Sequence, residues 1–546
     1  MQEDNTTLPD SSPQPDDTSG LPFLVVGIGA SAGGLEAYTE LLAEMPAAPG
    51  LSLLLVSHLD PTHKSELATL LSRISRMPVS EVSEGMAVEV NHVYVIPPGT
   101  NMAMADGHLT LTPRAPRPSP HMPIDHLLRS LAAIQKARSV GVILSGNGSD
   151  GVIALQAIKA VGGVTFAQDE ISARYPGLPR SAVLDGNVDH VLPPRAIAQQ
   201  LCQIAGHPYT TRDSDEAIRA DPRGFEADPV ADIIALLRQR TAVDFTNYKQ
   251  TTIRRRILRR MALRNLQDLQ DYLGLLRADD VEVHCLYQDF LIRVTQFFRD
   301  PDSFEALKQK VFPAIVDGRP SGSSIRLWVA GCATGEEVYS LAISLLEYMD
   351  NRRENLAIKI LATDLNESAL EKARAGVYLD NIEIDVSPTR LRRFFVRSEG
   401  HYQISKSVRE LCIFSRHNMS NDPPFSRVDL VSCRNVLIYM DAALQRRVFP
   451  LLHYALNPGG FLFLGSSENV STYSDLFDVV DARHRIFARR QSVSPIPVEF
   501  AAPFSPLGQV RAQERGIRPA LERAGRPARG RSGAAEPIRP RRRRRR

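Results

Sequence analysis

The chain has 546 residues, 43 % of them hydrophobic and 23 % charged, which is typical of a soluble globular protein with about three domains. It has no apolar run long enough to cross a bilayer, and its acidic N-terminus lacks a signal-peptide pattern, so we expect a cytoplasmic protein without a transmembrane segment. The five cysteines are scattered and form no Cys-x-x-Cys pair, so we predict neither a disulfide framework nor a metal site.

The net charge of +3 is unevenly distributed. Residues 511–546 contain 14 Arg and 3 Glu and carry +11, so the first 510 residues carry −8. A nucleic-acid enzyme more often carries its basic surface on the folded part. We predict disordered termini at 1–20 and 491–546, with a C-terminal tail that can contact anionic lipid or nucleic acid.

Between residues 21 and 205, short apolar runs alternate with amphipathic stretches. The predicted strands are 23–29, 51–58, 92–97, 139–146 and 163–168, and the predicted helices are 34–46, 64–75, 124–137 and 151–162. This alternation predicts an α/β domain of the doubly wound type, with a mainly parallel sheet and helices on both faces. Functional residues in such folds collect at the carboxyl ends of the strands.

The first strand runs into a glycine-rich segment, "LVVGIGASAGGLEA", that fits two chemistries. As G-x-G-x-x-A, with Gly27, Gly29 and Ala32, it is a dinucleotide-binding turn. As G-x-S-x-G, with Gly29, Ser31 and Gly33, it presents a serine nucleophile. The second strand decides between them, because a dinucleotide site requires an acidic residue at its end.

His58 stands at that position in this sequence. A histidine is a poor acceptor for ribose hydroxyls and a good general base, with an ordinary pKa near ~6.5. Asp150 lies after the strand that ends near Leu144, so Ser31, His58 and Asp150 all lie at strand carboxyl ends. These residue types favour a serine hydrolase with a Ser-His-Asp triad.

A polar stretch at 206–224 is predicted to be a linker, followed by a helical subdomain at 225–300 and a second doubly wound α/β domain at 301–490. The helical subdomain contains one strongly cationic helix, with five arginines at positions 254, 255, 256, 259 and 260. Two interpretations are open for it: a solvated helix face, or a docking surface for an acidic partner such as a glutamate-rich receptor helix.

The second α/β domain contains a turn with Gly331 and Gly335 after its first strand, and Asp364 at the end of the next. This layout is typical of a nucleoside cofactor site, because the carboxylate can accept both ribose hydroxyls. Glu336 and Glu337 follow the turn and would repel a pyrophosphate. Carboxylates suit an ammonium or sulfonium group instead, which indicates S-adenosylmethionine.

Seven blocks of the first half resemble, in order and spacing, the catalytic domain of the chemotaxis methylesterase CheB. They are "VVGIGASAGG", "VSHLDPTHKSELATLL", "VYVIPPG", "PIDHLLRSLA", "GVILSGNGSDG", "GVTFAQDE" and "GLPRSAV", within residues 22–200. The resemblance implies that Ser31 attacks the γ-methyl ester of a receptor glutamate, His58 transfers the proton and Asp150 orients the imidazole. Relatives usually begin with a receiver domain, for which 20 residues are too few, so phosphorylation in cis is not expected.

Residues 230–490 resemble the receptor methyltransferase CheR, on "TQFFRD", "GCATGEEVYSLAI", "ATDLNESALEKARAGVY" and "SCRNVLIYMD". The resemblance implies the following cofactor-binding residues: Thr295, Arg299, Glu336, Asp364, Asn418, Met419, Arg434 and Asn435. It also implies that Arg299 and Tyr439 hold the substrate glutamate. Arg293 replaces an asparagine that can touch the cofactor in relatives, and that contact is therefore not expected here.

The sequence thus predicts a bifunctional enzyme that removes and adds methyl groups on chemoreceptor glutamates, with receptor helices as partners. Deamidation of glutamine by the same serine is a further expectation. Opposed activities need gating, which we expect from partner binding or domain occlusion. The alternatives are an inactive scaffold that keeps both folds and, less favoured, a dinucleotide-dependent oxidoreductase built on Gly27 and Gly29.

Overall fold

The structure is a computed structural model that describes residues 20–59, 65–114, 121–210, 229–350 and 356–491. The termini that the sequence predicts to be disordered lie, apart from Gly20 and Gln491, outside the described residues, and so does most of the predicted linker.

The first α/β domain carries every strand and helix predicted for it. Its strands are β1 (Leu24–Ala30), β2 (Leu51–Ser57), β3 (Val79–Glu81), β4 (Met86–Ala87), β5 (Val93–Val95), β6 (Thr100–Ala105), β7 (His108–Pro113), β8 (Ser139–Ile143), β9 (Val164–Gln168) and β10 (His190–Leu192). Its helices are α1 (Gly34–Glu44), α2 (Leu67–Ser72), α3 (Pro123–Gln135), α4 (Val152–Ala160), α5 (Gly177–Asp185) and α6 (Pro194–Ala205). The main sheet has the order β10-β9-β8-β1-β2-β5-β3, and all its neighbouring strands pair in parallel. A small antiparallel sheet, β4-β7-β6, was not predicted.

The glycines of β1 allow a helix to lie directly on the strand. A Cβ atom on Gly29 would lie 2.3 Å from Ile124 Cγ2, and one on Gly27 would lie 2.6 Å from Leu128 Cδ2. Both contacted side chains belong to α3. The "GIG" spacing therefore serves close packing of α3, and this packing brings the N-terminus of that helix to the carboxyl edge of the sheet.

The helical subdomain is confirmed and contains four helices within the described residues. They are α7 (Pro229–Thr241), α8 (Gln250–Leu263), α9 (Leu269–Ala278) and α10 (Asp280–Phe290). Their apolar faces pack into one hydrophobic cluster, which includes the fully buried residues Ile233, Phe245, Ile257 and Leu286.

The second α/β domain has a mainly parallel seven-stranded sheet, as predicted. Its strands are β11 (Ser324–Ala330), β12 (Ala357–Asp364), β13 (Val377–Leu379), β14 (Phe395–Ser398), β15 (His401–Ile404), β16 (Cys412–Arg416), β17 (Val428–Cys433), β18 (Leu456–Leu464), β19 (Phe477–Asp481) and β20 (Ile486–Arg489). Its helices are α11 (Pro301–Lys310), α12 (Phe312–Val316), α13 (Glu336–Met349), α14 (Glu367–Ala375), α15 (Pro388–Phe394), α16 (Lys406–Arg409) and α17 (Ala442–Ala455). The sheet order is β16-β12-β11-β17-β18-β20-β19, in which the pairs that involve β20 are antiparallel. A separate antiparallel sheet, β13-β15-β14, was not predicted.

Three of the five arginines on the cationic helix α8 are buried inside the protein. For these three, both sequence interpretations, a solvated helix face and a docking surface for an external partner, are wrong. Arg256, Arg259 and Arg260 are buried. Arg260 pairs with Glu282 of the same subdomain, with Nε 2.8 Å from Oε1. The acidic partner of this arginine is thus inside the chain.

Arg259 joins the two halves of the protein. Its side chain is 0 % exposed and forms ion pairs with Asp189 of the first domain and Asp289 of α10. Lys159 adds a second cation, with Nζ 3.0 Å from Asp189 Oδ1. Burial alone would raise the pKa of Asp189, but Arg259 and Lys159 hold that pKa well below its usual range.

The same face of α8 also caps the carboxyl end of α4. Arg256 donates hydrogen bonds to the carbonyls of Lys159 and Ala160, and Arg259 Nε donates to the Gly163 carbonyl over 2.9 Å. The last carbonyls of a helix have no partner inside the helix and carry partial negative charge, so guanidinium groups are favourable there.

A second contact between the halves involves the 3₁₀ helix Asp380–Ile384 and the residue after it, Asp385. Asp385 lies near Arg129 and Asp125 of α3. Burial raises the pKa of Asp385 to about 6. The positive charge of Arg129 lowers this pKa, and the negative charge of Asp125 raises it.

We expect Asp385→Asn to stabilise the protein at pH 7 by about 2 kcal/mol, and by less than about 1 kcal/mol at pH 4. Well below the ordinary Asp pKa of 3.8 the carboxyl is protonated in both states; as the pH rises towards 6 the unfolded state loses its proton first, so the wild type loses stability. Urea unfolding at pH 4 and pH 7 measures the difference. Asp106→Asn, in an exposed turn, is the matched control, and an equal gain from Asp385→Asn at both pH values contradicts the prediction.

Candidate active sites

Three predicted residues of the first domain meet at the carboxyl edge of its sheet. Ser31 follows β1, His58 follows β2 and Asp150 follows the strand β8. Ser31 Oγ lies 3.3 Å from His58 Nδ1, and His58 Nε2 lies 2.9 Å from Asp150 Oδ2. Since β1 lies between β2 and β8, this cluster occupies the point where the strand order reverses, the usual ligand position of such sheets.

The N-terminus of α3 holds the carboxylate of Asp150. The backbone N–H of Ile124 donates to Oδ2 over 3.0 Å, and that of Asp125 donates to Oδ1 over 2.9 Å. These two N–H groups at the start of a helix fix the position of the carboxylate. The Asp150 carboxylate accepts a hydrogen bond from Nε2–H of His58, which leaves Nδ1 as the acceptor that faces Ser31.

Two contacts fix the position of Ser31, and the imidazole beside it is partly exposed. Its N–H donates to the Ser145 carbonyl over 2.9 Å, and a Cβ on Gly146 would lie 2.9 Å from Ser31 Cβ. The His58 side chain is 31 % exposed. The imidazole is therefore partly accessible to solvent, and gating by domain occlusion stays a prediction.

His121 is a neighbour of this site that the sequence analysis missed. Its ring centroid lies 6.2 Å from that of His58. Burial lowers the pKa of His121, and the charges of Arg114 and His58 lower it further. His121 belongs to none of the recognised motifs, so the sequence carried no signal for it.

The second domain contains an open cleft at the carboxyl ends of β11, β12 and β17. Seven of the eight predicted cofactor residues line it: Thr295, Arg299, Asp364, Asn418, Met419, Arg434 and Asn435. Tyr439, predicted to hold the substrate, lines it as well. The strand order reverses here too, because β11 lies between β12 and β17.

Glu336 is not brought to this cleft. It lines a separate small cavity of about 30 Å³ between the two halves of the chain. There it accepts a hydrogen bond of 2.6 Å from Thr334 Oγ1, and burial raises its pKa. The next residue, Glu337, lines the cleft and accepts a 2.6 Å hydrogen bond from Ser432 Oγ. Both glutamates lie in the first turn of a helix that is buried on most sides, so spacing alone could not tell which one faces the cleft.

Asp364 is positioned by the glycine turn. Its Oδ2 accepts the N–H of Ala333 over 2.9 Å and its Oδ1 accepts the N–H of Asn366 over 2.8 Å, while burial raises its pKa. Gly331 has a φ of 74°, and a Cβ there would lie 2.4 Å from Val436 Cγ2. Only glycine fits this position, where the turn passes the loop after β17.

Arg299 lies between two residues with strained backbones. Phe298 and Asp300 have φ values of 49° and 59°, which are rare for residues other than glycine. The Phe298 N–H donates to Ser340 Oγ over 2.9 Å, and Asp300 Oδ2 lies 2.7 Å from Arg434 Nη2. These contacts hold the turn in the conformation that brings Arg299 to the cleft.

Glu468, also missed by the sequence analysis, anchors the loop after β17. Its carboxylate accepts N–H groups from five residues at distances of 2.8 to 3.3 Å: Asn435, Val436, Leu437, Ile438 and Gly465. Arg434, Asn435 and Tyr439 of the cleft all belong to this loop or border it. Glu468 thus sets the shape of one wall of the cleft.

The cleft fits S-adenosylmethionine by its donors and acceptors. Asp364 offers carboxylate lone pairs for ribose hydroxyls, and Glu337 offers a carboxylate for the ammonium group. Arg434 is 1 % exposed, and among the described residues its Nε atom has no hydrogen-bond acceptor, so it can serve a bound ligand. Within the described residues, no group of three or more His, Cys, Asp or Glu side chains could hold a metal ion, and no helix is suited to span a membrane.

Comparisons with known families agree with this division of the chain. The family description "CheB methylesterase" matches residues 26–201, "CheR methyltransferase, all-alpha domain" matches 230–291, and "CheR methyltransferase, SAM binding domain" matches 293–486. The chemotaxis protein methyltransferase 2 of Vibrio cholerae is 33 % identical over 247 residues, which cover 44 % of this chain and 85 % of that protein. The chain belongs to the CheR methyltransferase family and also carries a CheB methylesterase domain.

Two further proteins resemble this CheB–CheR chain. An uncharacterized 104.1 kDa protein of Rhodobacter capsulatus is 40 % identical over 448 residues, which cover 79 % of this chain and 47 % of that protein. The chain thus matches about half the length of this relative. The crystal structure of the Thermotoga maritima CheB methylesterase catalytic domain is 27 % identical, covers 34 % of this chain and 100 % of that one, and superposes with a TM-score of 0.32.

Proposed function

We propose that the chain is a bifunctional enzyme that sets the methylation of chemoreceptor glutamates. Its CheB domain hydrolyses glutamate γ-methyl esters, and its CheR domain methylates receptor glutamates with S-adenosylmethionine. The observation that supports this most strongly is the ordered contact Ser31–His58–Asp150 in a CheB domain, in the same chain as a cleft lined by the predicted CheR residues. A scaffold without turnover would not need either arrangement.

Ester hydrolysis follows from the three side chains of the CheB domain. His58 Nδ1 takes the proton of Ser31 Oγ as the oxygen attacks the ester carbonyl, and Asp150 stabilises the imidazolium. Collapse of the tetrahedral intermediate breaks the bond to methoxide, which leaves as methanol with the proton from His58. Water, activated by the same histidine, then releases the glutamate and regenerates Ser31. The same acyl transfer at a glutamine amide releases ammonia, which makes deamidation part of the proposal.

Methyl transfer requires mainly placement of the substrate. When bound, S-adenosylmethionine supplies the activated methyl group. A glutamate carboxylate has an ordinary pKa near ~4.3 and is ionised at pH 7, so no general base is needed. Arg299 can hold that carboxylate with two parallel hydrogen bonds, and Tyr439 can donate a third. Asp364 and Glu337 would hold the ribose and the ammonium group, which leaves orientation as the main contribution of the protein.

We expect Arg299→Lys to lower methyl transfer about 100-fold, because lysine cannot reproduce the forked contact. The assay incubates the intact chain with radiolabelled S-adenosylmethionine and a chemoreceptor cytoplasmic fragment, and measures label that alkali releases as methanol. Arg374→Lys, in an exposed pair with Glu367, is the matched control. If the chain transfers no alkali-labile label even when Ser31→Ala has removed the esterase, or if Arg299→Lys behaves like Arg374→Lys, the assigned methyltransferase function is wrong.

A further inference from the structure

The CheR domain forms hydrogen bonds to Ser149, the residue that precedes the proposed catalytic Asp150 of the CheB domain. Ser149 Oγ donates a 2.6 Å hydrogen bond to Asp380 Oδ1. The neighbouring Asn381 donates from Nδ2 to the Ser149 carbonyl over 3.5 Å. Asp150, which follows in the chain, holds His58. Two adjacent residues of one domain thus contact both the side chain and the backbone of a residue next to the triad of the other.

The turn that carries Asp150 is packed at Gly146 and Gly151 but open at Gly148. It reads "SGNGSDG", and two of its glycines, Gly148 and Gly151, have φ values of 89° and 83°. A Cβ on Gly148 would meet nothing within 4 Å, so no packing holds that side of the turn. Glycine has more conformational freedom than any other residue, and a turn rich in it depends on outside contacts for a single conformation.

The contact with Asp380 is stronger than an ordinary loop contact. Ser149 is 7 % exposed, so its hydroxyl is largely shielded from water. Hydrogen bonds from a hydroxyl to a carboxylate are about twice as strong as neutral ones, and partial burial increases their strength further. Asn381 is 1 % exposed, so water does not compete for its contact with Ser149, and the Asp380 N–H donates to the Gly400 carbonyl of the CheR domain over 3.2 Å.

We propose that Asp380 of the CheR domain is a positioning residue for the esterase, which holds the Ser149–Asp150 turn so that Asp150 keeps His58 in line with Ser31. This inference rests on the proposed esterase function. Asp150 retains its own anchors, the N–H groups of Ile124 and Asp125, so loss of Asp380 weakens catalysis without abolishing it. Substrate binding does not involve Asp380, and the effect therefore falls on kcat and not on KM.

The test compares four variants of the full chain: Asp380→Ala, Asp380→Asn, Ser149→Ala, and Asp380→Ala combined with Ser149→Ala. Esterase kcat and KM are measured on a methylated chemoreceptor fragment, and Ser31 reactivity is measured with a serine-directed phosphonate. We expect Asp380→Ala to lower kcat about tenfold at unchanged KM, by loss of one charge-assisted hydrogen bond. Asp380→Asn keeps an acceptor oxygen and retains most of the activity. The double variant is no slower than either single one, because both act through the same contact.

Lys372→Met is the matched control, since Lys372 pairs with Asp185 across the same domain contact but away from the triad. We expect it to leave esterase kcat unchanged, and we expect methyl transfer by Asp380→Ala to remain at the wild-type rate. The proposal is overturned if Asp380→Ala matches Lys372→Met, if only KM changes, or if the double variant shows additive losses. A wild type that reacts with the phosphonate but spares methyl esters refutes the proposed substrate alone, because the Asp380 comparison is then read from phosphonate rates. A wild type inert to both the phosphonate and methyl esters overturns both.

Discussion

Ser31→Ala is expected to lower ester hydrolysis at least about 10³-fold and to leave methyl transfer at the wild-type rate. The alanine removes the oxygen that forms the acyl-enzyme, while the cleft that holds Arg299 and Asp364 lies in another domain. In an assay with labelled S-adenosylmethionine and a chemoreceptor fragment, the variant should therefore accumulate more alkali-labile label than the wild type. Methanol release from a methylated fragment gives the esterase rate directly.

Ser72→Ala is the matched control for this experiment, since Ser72 is exposed and its hydroxyl donates to the Thr69 carbonyl of the same helix. It should hydrolyse the ester at the wild-type rate. Retained hydrolysis by Ser31→Ala would show that another group is the nucleophile. A parallel loss of methyl transfer would show that the two sites do not work independently.

Arg259→Met is expected to destabilise the protein by about 3 kcal/mol, because it leaves the buried carboxylates of Asp189 and Asp289 without their main cation. Lys159, 3.0 Å from Asp189, compensates in part, which places the effect at the low end of the range for broken buried ion pairs. The midpoint of thermal unfolding should fall by roughly 5 to 10 °C.

Two comparisons make that result specific to the buried cluster. Arg240→Met removes an arginine from an exposed pair with Asp280 and should change stability by less than about 1 kcal/mol. Adding Asp189→Asn and Asp289→Asn to Arg259→Met removes the unpaired charges and should restore part of the loss. Equal unfolding midpoints for Arg259→Met and Arg240→Met would mean that the cluster does not stabilise the fold.

The strands and the positions of Ser31, His58 and Asp150 could be predicted because short segments of the sequence determine them. Short apolar runs such as "LSLLLVSH" end at polar residues, and the parallel sheet then brings these ends to one edge. The cleft residues were predicted for the same reason, since Gly331 and Asp364 follow adjacent strands. Glu336 and Glu337 could not be distinguished, because both begin a helix that is buried on most of its surface.

The role of the cationic helix could not be predicted, because it depends on a contact between residues far apart in the chain. Asp189 lies 70 positions from Arg259, and the carbonyls at the end of α4 have no sequence signature. Glu468 was missed for a related reason, since a single glutamate gives no sign that it will accept five backbone N–H groups. Both cases involve polar groups whose partners appear only after the chain has folded.

The buried face of α8 also bears on how the two halves behave when separated. A CheR half cut at the linker would leave behind the carbonyls of Lys159, Ala160 and Gly163 and the carboxylate of Asp189. Arg256 would then face solvent, and Arg259 would keep Asp289 but lose Asp189, so this face would become a basic patch. Such a patch attracts polyanions in a salt-dependent manner, so a truncated CheR half should be retained on heparin or nucleic acid at low ionic strength. Separating the two halves would thus create an affinity for polyanions that the intact protein lacks at this face, because the arginines are buried there.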